Sequence, residues 1–99
     1  MENLKILLIE DDTIDQMAFK RLVKQQNLSY QYTIVNSVAE TRKLLRSNQF
    51  NFDVVLSDYH LGDGFALDFL ADIIKTNIPV IITTGSGDEK VAVKAMKLG

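Results

Sequence analysis

The stretch that decides the fold is Leu4-Lys5-Ile6-Leu7-Leu8-Ile9-Glu10-Asp11-Asp12. Apart from Lys5, the run Leu4–Ile9 is apolar at odd and even positions alike. Successive side chains of a strand point to opposite faces, so such a run predicts a strand covered on both sides, as in a parallel sheet. Two more runs read the same way: Val54–Leu56, and Val80–Ile82 extending into Thr83. A fourth, Tyr30–Val35, is rich in β-branched and aromatic residues and reads as an edge strand.

Helix-period segments separate these runs. Ile14, Ala18 and Leu22 recur every four residues, with Met17 and Val23 widening the stripe, which predicts an amphipathic helix over Thr13–Gln26. Ser37-Val38-Ala39-Glu40 has the form of a capping box and opens a helix carrying Leu44 and Leu45. Phe65–Lys75 sets Ala66, Leu70 and Ile73 on one face. The spacing predicts a last helix with Asp88 as its cap, Val91, Ala92, Ala95 and Met96 inward, and Gly99 where a C-terminal αL residue is expected.

The order β-α-β-α-β-α-β-α predicts one α/β domain over residues 1–99, a doubly wound parallel sheet with right-handed crossovers. Eleven basic and thirteen acidic residues leave a formal charge of −2, so no field draws nucleic acid or an anionic membrane. The absence of cysteine excludes disulfides, thiolate metal sites and a cysteine nucleophile. No run approaches the roughly 20 apolar residues that span a bilayer, and Ile6–Ile9 is too short for a signal peptide. The expectation is a soluble, unexported, cytoplasmic module.

Ligands of such sheets bind beyond the carboxyl ends of the strands. The first strand runs out into Glu10-Asp11-Asp12, the third into Ser57-Asp58, and the fourth into Thr83-Thr84-Gly85-Ser86-Gly87. With these strands adjacent, about 4.8 Å apart, the side chains converge. Several carboxylates in one pocket resist ionising unless a cation intervenes. Oxygen-only ligands suit Mg²⁺ or Mn²⁺, and Mg²⁺ characteristically shares its site with phosphate oxygens. A carboxylate is also a competent nucleophile toward a phosphoryl group. Each feature has a plainer reading alone: Asp12 or Thr13 caps a helix, a single Asp after a strand forms a turn, and Gly-Ser-Gly is a loop. The functional reading rests on their placement at three strand ends.

Taken together, three segments resemble the receiver (response-regulator) family of two-component signalling. They are Leu7–Asp12, Asp53-Val54-Val55-Leu56-Ser57-Asp58-Tyr59-His60-Leu61, and Ile78-Pro79-Val80-Ile81-Ile82-Thr83-Thr84-Gly85. Gly87-Asp88-Glu89 through Gly99 continues the match, which spans the whole chain in order. The resemblance implies a flavodoxin-like sheet with strand order 2-1-3-4. It implies Asp58 as phosphoacceptor, Asp11 as direct metal ligand, Glu10 acting through metal-bound water, the His60 backbone carbonyl on the metal, Asp12 as a weaker metal candidate, and Thr84 as the hydroxyl that senses the phosphoryl group. His60 is the only histidine, and its place in a loop beside Asp58 suits tuning of the site better than a phosphohistidine role. The implied partners are a histidine kinase or phosphotransfer protein and an output domain or partner protein.

Two departures from the family pattern stand out. Gly62 occupies a position where many members have proline. The chain also stops at Gly99, before the family's fifth strand, its phosphoryl-pairing lysine and its fifth helix; Lys94 and Lys97 lie on the fourth helix and do not substitute. The expectation is a C-terminally incomplete receiver prone to self-association through an open strand edge or its last helix. Two rivals remain on this reading. One is a phosphorylation-independent interaction or dimerisation module of the same fold. The other is an aspartate-nucleophile phosphohydrolase, which calls for Asp-x-Asp where this chain has His60. The receiver is a switch, not an enzyme.

Overall fold

Strand β1, Lys5–Ile9, divides its side chains between two cores. Ile6 and Leu8 pack with Val54 and Leu56 on one face of the sheet, while Leu7 and Ile9 pack with Val55 on the other. This is why the segment is apolar at nearly every position. The computed structural model describes residues 4–26 and 29–83. Helix α1 is Thr13–Gln25, β2 Gln31–Val35, α2 Val38–Arg46 and β3 Val54–Asp58; the short strands β4, His60–Leu61, and β5, Gly64–Phe65, follow, then α3, Leu67–Ile74, and β6, Val80–Thr83. The four long strands form a parallel sheet in the order β2-β1-β3-β6, the expected arrangement, with β2 at one edge. The helix expected beyond Asp88 lies outside the described residues.

The first core contains Phe19, Leu22 and Val23 of α1, and the second contains Val38 of α2 with Phe69 and Ile73 of α3. The sheet is therefore wound on both faces. The stripe expected on α1 is corrected here. Ile14 is 76% exposed and Met17 is also exposed, whereas Phe19 is fully buried. At 100° per residue, Leu22 and Val23 flank Phe19, but Ile14 and Met17 fall on the opposite side. The buried face centres on Phe19, and Leu22 lies about 60° from it, Ala18 about 100° and Ile14 about 140°, so only the last member of the expected stripe meets the sheet.

The third helix also starts later than the spacing predicts. Gly64 and Phe65 pair antiparallel with Leu61 and His60 instead, forming a hairpin. Its helix buries Phe69 and Ile73, while Leu70 is only half-buried. The capping box at Ser37 forms with one shift: Ser37 Oγ accepts from Glu40 N at 3.0 Å, but Glu40 Oε1 reaches back to Asn36 N, one residue before the cap.

The remaining free N–H groups of the first turn of α2 donate to a distant carboxylate: Val38 N to Asp63 Oδ1 at 2.8 Å and Ala39 N to Asp63 Oδ2 at 3.0 Å. These bonds, Val38 first and then Ala39, with a smaller contribution from Arg42, hold the Asp63 carboxyl below its ordinary value of 3.8. A carboxyl with a depressed folded-state pKa contributes stability that is present above the unfolded pKa and lost as pH falls through the folded one. Melting temperature is therefore expected to fall more steeply in the wild type than in Asp63→Asn as pH drops below 3.8. Parallel acid-melting curves for the two proteins would show that Asp63 contributes nothing to this linkage.

Candidate functional site

Register brings the acidic residues together. Ile9 of β1 stands beside Ser57 of β3, so Glu10 and Asp58, the residues that follow, emerge at the same end of neighbouring strands. Glu10, Asp11 and Asp58 each offer a carboxylate oxygen, and these oxygens all lie within 4.8 Å of one another. Glu10 is fully buried, Asp58 half-buried and Asp11 exposed, so the cluster opens to solvent on the Asp11 side.

Local bonds fix the backbone that carries these groups. Glu10 N donates to Val35 O at 3.0 Å, continuing the ladder to β2 one step past the strand. Glu10 O accepts from Gln16 Nε2 of α1 at 2.6 Å, and Glu10 Oε2 accepts from Asp12 N at 3.2 Å. On the other side, Asp58 stands opposite Thr83 in the β3–β6 register, and Tyr59 N donates to Thr83 O at 2.7 Å. Ser57 Oγ donates to Asp58 O, and the buried Thr83 hydroxyl to Ser57 O.

Asp12 stands apart from the cluster. Its backbone is extended, and its Oδ1 accepts from Ile14 N and Asp15 N, capping α1. His60 is exposed, and its ring lies 5.0 Å from those of Tyr59 and Phe65, forming an aromatic rim beside Asp58. Thr84 lies outside the described residues. Sequence reasoning had no sign of Gln16, whose amide is unremarkable on a helix surface, nor of Asp63, whose partners are 24 and 25 residues away.

The donor set fits a hard divalent cation. It consists of carboxylate oxygens, close enough together that one ion with bonds of about 2.1 Å takes one or two of them directly and reaches the rest through its bound water. Burial of Glu10 beside two further carboxylates makes a positive partner favourable at this point.

The family model described as response regulator receiver domain matches residues 6–99. The two-component response regulator ORR22 of Oryza sativa subsp. japonica is 31% identical over 98 residues, covering 97% of this chain. The chain spans only 14% of the length of that relative. Among solved structures, the MaeR response regulator bound to beryllium trifluoride is 28% identical with a TM-score of 0.66, covering 97% of this chain and 79% of its own. The receiver domain of the sensor histidine kinase PA1611 from Pseudomonas aeruginosa PAO1, with a magnesium ion coordinated in its active-site cleft, is 22% identical with a TM-score of 0.67, covering 90% of this chain and 75% of its own; that likeness carries the fold. With its parallel sheet, its acidic strand ends and a family match over nearly its whole length, the chain belongs to the response regulator receiver domain family.

Proposed function

We propose that this receiver domain, a signalling domain rather than an enzyme, accepts a phosphoryl group on Asp58 from the phosphohistidine of a partner kinase or phosphotransfer protein. The observation that carries this reading is the convergence of Glu10, Asp11 and Asp58 within 4.8 Å at the carboxyl ends of β1 and β3. A carboxylate oxygen of Asp58 attacks phosphorus, an O–P bond forms, the P–N bond to the donor imidazole breaks, and the imidazole leaves with the electron pair. Asp11, Asp58 and Glu10, with the His60 carbonyl, would hold Mg²⁺ or Mn²⁺. An ion held by these residues would supply positive charge to offset that gathering on the phosphoryl oxygens.

The magnesium ion in the PA1611 receiver and the beryllium trifluoride on MaeR support this reading by likeness. The resemblance to the receiver family assigns the sensing of the phosphoryl group to the hydroxyl of Thr84, the residue after Thr83 in the sequence. The readout is a changed surface offered to an output domain or partner protein. Among the described residues no helix is long and apolar enough to cross a membrane.

Intact-mass spectrometry with a small phosphodonor tests the reading. One phosphoryl adduct per chain is expected with Mg²⁺, falling to background when a chelator removes it. A chain that stays unmodified with Mg²⁺ present, or that labels equally well without it, would remove the basis for the proposal.

A further inference from the structure

The hairpin that leaves Asp58 is tied to the rest of the fold at both ends and at its tip. At its base, Ala66 N donates to Tyr59 O at 2.9 Å, and Phe65 N donates to Asp68 Oδ2 of α3, also at 2.9 Å. At its tip, Asp63 accepts from the first two N–H groups of α2. Arg42 of α2 closes the circuit by donating from Nη2 to Asp68 O at 3.0 Å. The path therefore runs from α2 through Asp63 to the hairpin, on to Asp68 of α3, and back to α2.

The turn held by this circuit lies against the acidic cluster. A Cβ placed on Gly62, the residue before Asp63, would stand 3.4 Å from Asp11 Oδ2. Glycine carries no such atom, so Gly62 leaves that clearance free, and a shift of the turn toward the cluster narrows the space in which the Asp11 carboxylate sits. Asp11 is the exposed member of the cluster, and it has the most freedom to follow such a shift. We propose that Asp63 is a positioning residue for the acidic site: by capping α2 across the fold it fixes the 60–65 hairpin against Asp11 and so sets the spacing of the carboxylates. The inference rests on the reading of that cluster as a Mg²⁺-dependent phosphoacceptor site.

Ser37 supplies the control for a merely structural role. Its hydroxyl caps the same helix through Glu40 N and forms no hydrogen bond to the hairpin, so Ser37→Ala removes a cap and leaves the tether. Mg²⁺ affinity is measured by calorimetry without phosphodonor, beside melting temperature, for wild type, Ser37→Ala, Asp63→Asn and Asp63→Ala. Both Ala variants are expected to melt lower. Asp63→Ala is expected to weaken Mg²⁺ binding about 10-fold, the lower end of what losing an outer support of a metal ligand does. Asp63→Asn keeps one acceptor oxygen and is expected to recover part of that loss, and it serves as the test if Asp63→Ala does not fold. Ser37→Ala is expected to bind Mg²⁺ as the wild type does.

Removing a negative charge also weakens cation binding through space, and 1 M salt, with a screening length of about 3 Å, separates the two causes. A loss of affinity that persists in high salt supports the tether. A loss that disappears in high salt, equal losses in Asp63→Ala and Ser37→Ala, or wild-type affinity in Asp63→Ala each overturn it. Those outcomes leave the phosphoacceptor reading standing, whereas a wild type that neither binds Mg²⁺ nor takes a phosphoryl adduct removes both.

Discussion

Asp58→Asn is expected to abolish phosphoryl labelling while leaving the fold intact. The amide is nearly the same size as the carboxylate but is a poor nucleophile, so labelling should fall by more than about 10³-fold, the scale on which removal of a nucleophile acts. The same change should alter stability in the opposite sense. Glu10 is buried and Asp58 half-buried, and their oxygens lie within 4.8 Å of each other. Two like charges at that distance repel by about 1 to 3 kcal/mol at effective dielectric constants between those of water and a protein surface. Without divalent cation the variant is therefore expected to melt above the wild type, and added Mg²⁺ should narrow the gap by stabilising the wild type more. Intact-mass labelling and melting curves with and without Mg²⁺ check both halves. Labelling that survives in Asp58→Asn would place the acceptor on another residue.

Phe19→Ala is expected to remove a large share of the domain's stability. Phe19 is fully buried in the core between α1 and the sheet, beside Ile6, Leu8, Val54 and Leu56. Deleting a buried phenylalanine side chain costs about 3–5 kcal/mol through lost transfer energy and the cavity left behind. A domain of this size has on the order of 5–15 kcal/mol in all. The melting temperature should fall by at least about 12 °C. Ile14→Ala removes an apolar side chain from the same helix, but one that is 76% exposed, and should shift stability by no more than about 0.5 kcal/mol. Chemical denaturation of the two variants side by side decides which face of α1 meets the sheet. Equal effects would contradict the buried stripe of Phe19, Leu22 and Val23.

The acidic cluster is assembled from segments remote in sequence, unlike the aromatic rim of Tyr59, His60 and Phe65, which is local to the hairpin after Asp58. Glu10 and Asp11 leave β1, Asp58 leaves β3, and Asp63 reaches α2; each contact crosses at least one intervening helix or strand. Gln16 holds the carbonyl of Glu10 from α1, so the backbone that carries the buried carboxylate is braced by the helix that follows it.

By itself the sequence determined the strands and the chemistry available at their ends. Ile6–Ile9 and Val54–Leu56 are apolar because a central parallel strand is covered on both faces, and the acidic residues beyond them mark the functional edge, whereas Val80–Ile82, read the same way, is half-buried on the strand that ends the described sheet. The cap at Asp12 was legible too, since a capping side chain bonds to its own next turn. Tertiary structure alone decided which side of α1 is buried, because its apolar residues occupy more than one face and only contact with Ile6, Leu8, Val54 and Leu56 selects among them. It also decided that Gly64 and Phe65 join a hairpin in place of a helix, and that Asp63 serves a helix 25 residues before it. Such long-range partners leave no local period or motif, because what joins them is the path of the crossovers, and that exists only once the sheet has formed.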